Sequence, residues 1–382
     1  MPSLNETPSA NRIHIAFFGL RNAGKSTLVN EFTGQEIAIV SDTPGTTTDP
    51  VSKAMEILPL GPCLITDTAG LDDEGELGEK RVEKTLGVLA TTDIAIWVGE
   101  GFEKWRSRFS VPVMEFHRGD SVAELKQKIA AVKLVDTTPG LLDGLVEKGD
   151  RVVCVCPIDE SAPKGRLILP QVQLIRDCLD RHIAASVCQP EELEAVLGGE
   201  GRVLVVTDSQ AFASVRDTIS RFSASGAGRQ IRLTSFSILF ARQKGDLSEF
   251  LKGVEAIKGL KDGDTVLVAE GCTHHRQCND IGTVKIPKAV AKLTGKKVNF
   301  VFSSGTGFPL NSTSGGADKP SLVIHCGGCM LTRREVLRRI AAAKEASVPI
   351  VNYGILLAAA CGLCVSEVGS QGVVSAKLDC AR

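Results

Sequence analysis

Short apolar runs separated by helix-length amphipathic stretches recur along the whole chain, the alternation expected of parallel sheets covered by helices on both faces. In the first section, residues 13–18, 57–66, 94–98 and 111–116 read as strands, with a last short one at 132–135. Residues 25–32, 77–91 and 122–131 read as helices between them. A second alternation starts at Arg151, with strands expected at 152–156, 185–188, 203–207 and 232–235. Its helices are expected at 170–180, 190–197, 212–222 and 247–257. A third section opens near Asp264, with strands at 265–269, 298–303 and 322–325 and an amphipathic helix at 332–343. The pattern predicts an α/β protein in three parts, 1–150, 151–260 and 261–382.

Composition narrows what such a protein can do. The apolar stretch 350–364 is interrupted by Asn352, Tyr353, Gly354 and Gly362. It falls short of the roughly 20 apolar residues of a membrane span, so a buried helix is expected there. Residues 1–12 hold no basic stretch followed by an apolar run, and a cytoplasmic protein is expected. Acidic and basic residues nearly cancel, 45 against 44, so no global field favours nucleic acid or an anionic membrane. Two Trp and one Tyr leave little for stacking bases. Twelve cysteines in such a chain point away from a disulfide scaffold and toward core thiols and metal ligands.

Gly19-Leu-Arg-Asn-Ala-Gly24-Lys25-Ser26 follows an apolar strand and opens a helix, the setting in which a P-loop works. Gly19, Asn22, Ala23, Gly24, Lys25, Ser26 and Thr27 are therefore assigned to nucleotide binding. Backbone amides and the helix terminus face the phosphates, Lys25 reaches the β and γ groups, and Ser26 holds magnesium. Asp67-Thr-Ala-Gly70 follows the next apolar strand, which lets Asp67 hold magnesium through water and the Gly70 amide sense the γ-phosphate. Between them, Thr43-Pro-Gly-Thr-Thr-Thr-Asp49 is a hydroxyl-rich loop that can close on the metal.

This set resembles the GTPases of the translation-factor-related class, and residues 43–49 resemble the first switch of their branch concerned with RNA modification and ribosome assembly. The resemblance implies that Thr47 ligates magnesium. It also implies that Asn22 goes with activation by potassium, a positive charge where other GTPases use an arginine. Leu71 stands where Ras-like enzymes carry a water-positioning glutamine, so slow intrinsic hydrolysis is expected. The guanine-recognition motif Asn-Lys-x-Asp is altered to His117-Arg118-Gly119-Asp120, which keeps Asp120 for the base; Asp136-Thr137 occupies the last base-contact loop.

A second constellation lies far downstream: Cys272-Thr-His274, then His325-Cys326-Gly-Gly-Cys329. Three thiolates with imidazole nearby can hold structural zinc or a [4Fe-4S] cluster, and the residues alone leave both open. Cys278 reads as a non-ligand, Cys361 and Cys364 as packing residues, and Cys154 and Cys156 as thiols sharing one strand face.

The C-x-H, long gap, H-C-x-x-C pattern after a P-loop domain is similar to the maturation GTPases of [FeFe]-hydrogenase, the HydF family, over essentially the whole chain. That resemblance implies a P-loop GTPase domain, a second α/β domain for dimerisation and a cluster-binding domain. It implies a [4Fe-4S] cluster on Cys272, Cys326 and Cys329, with His274 or His325 as candidate fourth ligand. It further implies a homodimer or higher oligomer that receives a diiron subcluster precursor from two radical-SAM maturases, HydE and HydG, and passes it to apo-[FeFe]-hydrogenase. Two alternatives stand beside it: an RNA-modification or ribosome-assembly GTPase with a structural zinc module, and a nucleotide hydrolase inserting metal into another enzyme.

Overall fold

The computed structural model describes residues 7–35, 50–133, 138–158, 165, 167–224, 230–271, 280–305, 308–311 and 319–363. The chain divides into two compact units, Met1–Thr137 and Thr138–Arg382.

The first unit runs β1 (Ile13–Gly19), α1 (Lys25–Thr33), β2 (Val51–Ile57), β3 (Gly61–Asp67), α2 (Glu76–Thr91), β4 (Ile94–Val98), β5 (Val113–Phe116) and α3 (Val122–Ala130). Its sheet has the order β2-β3-β1-β4-β5. β1 lies parallel between β3 and β4, and β5 parallel beside β4, while β2 returns antiparallel on β3. The expected strand 57–66 is therefore a hairpin whose first arm begins at Val51. Val51-Ser-Lys-Ala is exposed, so no buried face announces this edge strand in the sequence. The register pairs Phe17 with Asp67, which sets the end of β3 beside the turn that leaves β1. Ile15, Phe17, Phe32, Ile65 and Ile96 are buried on one face of the sheet and Phe18, Trp97 and Phe102 on the other.

The second unit holds two parallel sheets. The first part runs β6 (Arg151–Val155), α4 (Leu169–Asp180), β7 (Ala184–Cys188), α5 (Leu193–Val196), β8 (Val203–Thr207), α6 (Phe212–Ala224), β9 (Ile231–Ser235), α7 (Phe236–Lys244) and α8 (Leu247–Ile257). The second part runs β10 (Thr265–Ala269), α9 (Ile286–Thr294), β11 (Asn299–Ser303), β12 (Leu322–His325), α10 (Arg333–Glu345), β13 (Ile350–Asn352) and α11 (Tyr353–Ala360). Their strand orders are β7-β6-β8-β9 and β11-β10-β12-β13. One continuous core joins them: Val153, Val205 and Ile238 belong to the same buried cluster as Val254, Val268, Ile324 and Leu356. Residues 141–145 pack here as well, with Leu141, Leu142 and Leu145 buried among Leu174, Leu204 and Phe240.

Two helices, α7 and α9, go beyond the sequence pattern. α7 starts where β9 stops, Ser235 closing the strand and accepting from Ile238 N at 3.2 Å as the helix cap. Its residues 238–241 are all buried and none of its residues is exposed, so it has no solvent-facing side to give a helical period. The apolar stretch from Ile350 is not helical throughout, because its first three residues pair as β13 with β12 before α11 begins. Among the described residues, no helix is long and apolar enough to cross a membrane.

Candidate functional site

The turn between β1 and α1 is the first site. Lys25 is only 7% exposed and donates to the Leu20 carbonyl at 2.7 Å and more weakly to Gly19 at 3.4 Å. Burial pulls its pKa down, opposed by Asp67, Asp72 and Asp73. Ser26 Oγ donates to Asp67 Oδ2 at 2.6 Å. Burial raises the Asp67 carboxyl, against the Ser26 hydroxyl and Lys25. Its other oxygen, Oδ1, is buried without a hydrogen-bond partner among the described residues. A buried carboxylate oxygen with nothing to accept from, next to a serine hydroxyl, is the donor set that hydrated magnesium completes.

Asn22 sits at the tip of this turn with a positive φ of 61°, a conformation asparagine tolerates. Gly70 lies against the turn so closely that a Cβ there would come within 2.7 Å of Arg21 N. That Arg21 amide donates to Asp72 Oδ1 at 2.6 Å, and Asp73 pairs with Arg21 and Arg81. Asp72 and Asp73 were not singled out by sequence reasoning, although an acidic pair two residues after Gly70 was the available signal. Gly19, Ala23, Gly24 and Thr27 line the same strand–turn–helix segment. Asp120 is half exposed, and its carboxylate accepts from His117 N at 2.7 Å, closing its own turn. Thr47, the whole 43–49 loop and Asp136-Thr137 lie outside the described residues.

The second site gathers at the carboxyl ends of three neighbouring strands. The register aligns Ala269, His325 and Asn352, so Gly271, Cys326 and Tyr353 follow at one sheet end. Gly271 N donates to Cys326 Sγ at 3.1 Å, and Gly328 N lies 3.4 Å from the same sulfur. Asn352 Nδ2 donates to the Cys326 carbonyl at 3.2 Å and Ser237 Oγ donates to Asn352 Oδ1 at 3.1 Å. Gly271 leaves room for the Leu331 side chain, which a Cβ would meet at 2.6 Å and displace. Burial pushes the Cys326 thiol up to about 11, helped by Cys329 and opposed by the Gly328 and Gly271 amides. Cys329 is raised by burial against the pull of Lys244.

Lys244, at the end of α7, is 4% exposed and donates to the carbonyls of Gly328, Cys329 and Leu331 at 3.2, 3.0 and 2.7 Å. Burial lowers its pKa to about 8, opposed by Cys329 and Cys326. Sequence reasoning missed this residue; a lysine before Gly245, 82 positions ahead of Cys326, carries no signal of its partner.

His325 faces the other way. Its Nδ1 lies 2.7 Å from the Cys326 carbonyl and its Nε2 3.4 Å from Arg339 Nη1. A carbonyl only accepts and a guanidinium only donates, so the partners fix the Nδ1–H tautomer and engage both ring nitrogens. Burial and Arg339 push its pKa down to about 4. Arg339, fully buried, is held by Glu335 Oε1 at 2.7 Å and the Gly305 carbonyl at 2.6 Å. Burial raises the Glu335 carboxyl, but Arg338 and Arg339 outweigh it and hold the group below its usual range.

Cys272, His274, Cys278 and Cys364 lie outside the described residues, and the chain enters the 272–279 segment at Gly271. Among the described residues no three Cys, His, Asp or Glu side chains converge as a metal site. The two thiols present nonetheless suit a thiolate-bound metal: both are partly buried, one receives two N–H groups, and an ammonium lies near them. Cys154 and Cys156 are buried packing thiols, Cys156 raised to about 12 by burial. Cys361 is partly buried against the core, and its carbonyl accepts from Arg216 at 2.6 Å.

Comparison with known proteins decides what family brings these two sites together. Residues 141–245 match the Hydrogen maturase F dimerization domain and residues 248–367 the Hydrogen maturase F tetramerization domain, together more than half of the chain. The chain belongs to the hydrogen maturase F family. Its first unit carries the family's GTPase domain, with residues 14–133 matching the 50S ribosome-binding GTPase family. Hydrogen maturase F thus joins a GTPase domain to two further α/β domains in one chain, the expected architecture.

Curated relatives are similar over shorter spans. The tRNA modification GTPase MnmE of Zymomonas mobilis is 37% identical over 173 residues, 44% of this chain and 38% of that protein. GTPase Der of Campylobacter hominis is 39% identical over 87 residues, 23% of this chain and 19% of that protein. GTPase Der of Xylella fastidiosa strain M23 is 44% identical over 100 residues, 24% and 21%. The chain therefore spans about two fifths or less of the length of these relatives. Era of Aquifex aeolicus covers 76% of this hydrogen maturase F chain and 92% of its own at 14% identity, with a TM-score of 0.25. Toc33 of Arabidopsis thaliana covers 59% and 71% at 15% identity and a TM-score of 0.21.

Proposed function

We propose that this chain is a GTP-hydrolysing scaffold that binds a [4Fe-4S] cluster through Cys272, Cys326 and Cys329 and delivers a diiron subcluster precursor to apo-[FeFe]-hydrogenase. The observation that carries the reading is the Cys326-Gly-Gly-Cys329 turn: two partly buried thiols at a strand end, with two N–H groups aimed at one sulfur. Family membership supplies the context. When bound, a cluster on three thiolates supplies one iron with an exchangeable position, the place where cargo attaches. The chain's own part is to offer deprotonated sulfurs, exclude water and fix their spacing. Because burial holds the Cys326 thiol above its usual range, a metal bound to it as thiolate would displace its proton. His274 is the better candidate for a fourth ligand, since His325 has both ring nitrogens engaged within the fold.

At the other site, Lys25 and the turn amides receive the phosphates, while Ser26, Asp67 and Thr47 hold magnesium. Potassium at Asn22 adds positive charge where phosphate charge builds up. Hydrolysis changes the contacts of Thr47 and Gly70 and so gates exchange of partners, which are HydE, HydG and the hydrogenase. Iron chemistry itself draws nothing from GTP. The protein works as a homodimer through residues 141–245, with further association through residues 248–367, as those domain names indicate.

The test is anaerobic reconstitution with ferrous iron and sulfide, followed by iron and sulfide counts, electron paramagnetic resonance and activation of apo-hydrogenase. Wild-type protein should hold about four irons per chain, and Cys272→Ser, Cys326→Ser and Cys329→Ser together should reduce iron and activation to background. One zinc per chain with no iron signal would defeat the cluster; unchanged hydrogenase activation by the triple variant would defeat the carrier role.

A further inference from the structure

Helix α7 belongs to the part of the chain matching the dimerization domain, yet its two ends touch the thiol turn of the next domain. Near its start, Ser237 lies against Gly327 and holds Asn352, which in turn holds the Cys326 carbonyl. At its end, the Lys244 ammonium spends its N–H groups on three carbonyls of the 328–331 segment. Arg333 Nη1 bonds back to the Gln243 carbonyl beside it. The helix therefore grips the turn at both ends.

The charge of Lys244 has no equal and opposite group among the described residues. No carboxylate there pairs with it, and its close non-carbonyl neighbours are the Phe240 ring, 5.1 Å from Nζ to centroid, and the two thiols. Burying an ammonium with carbonyl dipoles alone leaves a desolvation penalty that a negative partner normally offsets. Cys326 and Cys329 become negative only when they bind metal as thiolates. A full cation placed here makes physical sense if the turn it grips carries negative charge in the working protein.

Building on the reading of Cys326 and Cys329 as thiolate ligands, we infer that Lys244 is a positioning residue of that site. It fixes the turn through three carbonyls and supplies the buried positive charge that balances the thiolates and sets the reduction potential of the group they hold. The middle domain, through α7, thereby controls the electronic state of a site whose sulfurs lie in the next domain. A cation close to a metal–thiolate group favours the reduced form, which carries one more negative charge. Removing that cation makes reduction harder.

The experiment uses the full chain, reconstituted anaerobically, as wild type, Lys244→Met and Lys244→Arg, with redox titration followed by electron paramagnetic resonance. Lys244→Met should shift the reduction equilibrium about tenfold or more toward the oxidised form, about 59 mV for a one-electron couple. Lys244→Arg, which keeps the charge, should stay close to the wild-type potential. A Lys244→Met protein that loads iron and keeps the wild-type potential overturns the inference. If methionine prevents folding, Lys244→Gln, which retains a donor but no charge, takes its place: the same shift supports the inference and an unmoved potential overturns it. Failure of the wild type to take up iron and sulfide would overturn the thiolate reading instead, and it would show before any substitution at Lys244 is made.

Discussion

Lys25 and Lys244 are two buried ammonium groups that each close a glycine-containing turn at the carboxyl end of a parallel strand, under opposite electrostatic conditions. Lys25 gives its protons to carbonyls five and six residues away and has Asp67, Asp72 and Asp73 around it. Lys244 reaches carbonyls 84 to 87 residues away and has two thiols and, among the described residues, no paired carboxylate. The first cation is neutralised by its own unit before any ligand arrives, so it can trade carbonyl oxygens for phosphate oxygens and return. The second, among the described residues, has only two thiols near it to supply negative charge, and in the proposed reading they do so as metal-bound thiolates. One turn is arranged to take up an anion and release it, the other to keep one.

The comparison breaks or sharpens at three further points. The largest effect belongs to Lys25→Ala: GTP turnover, followed as phosphate release, should fall by at least about a hundredfold. Iron and sulfide uptake by the same variant should stay at the wild-type level, and loss of both together would show that the two turns are not independent. Asn22→Ala should be milder, removing the difference in hydrolysis between potassium and sodium buffers while leaving the sodium rate and cluster loading in place. An equal fall in both buffers would mean that Asn22 shapes the turn and has no part in potassium activation.

The smallest effect is expected from Ser235→Ala, which removes the cap of α7 and the partner of the Ser209 hydroxyl. It should cost about 1–2 kcal/mol, seen by calorimetry as roughly 2–4 °C of Tm for each kcal/mol. Because α7 grips the thiol turn, alkylation of Cys326 and Cys329 in metal-free protein should also become faster. Wild-type alkylation in a destabilised variant would detach the helix from the turn.

How far each site could be read from sequence follows from the same contrast. Gly19 to Ser26 is contiguous, and its hydrogen bonds are short-range, so its residues announce their own geometry. Cys326-Gly-Gly-Cys329 is legible for the same reason, as is the separation of an amino-terminal GTPase domain from the later α/β domains. What was illegible depends on distant partners. α7 buries Phe236 and four consecutive residues from Ile238 to Ala241 and keeps no exposed face, so a periodicity argument has little to detect in Ser237-Ile-Leu-Phe-Ala241. Val51–Ile57 hides because its residues face water as an edge strand, and Ile350–Asn352 because three buried residues ahead of a buried helix look like part of it. Lys244 and the His325–Arg339–Glu335 chain emerge only once separate elements are folded together.

The distance between Lys244 and the carbonyls it holds also fixes an order of events during synthesis. A ribosome delivers α7 more than eighty residues before the segment at 328–331, and β13, whose Asn352 braces Cys326, comes later still. Contacts of such long separation close late in folding. The growing chain thus presents Cys326 and Cys329 unbraced until residue 352 has left the exit tunnel, so the proposed cluster would find its braced thiol turn only after that point.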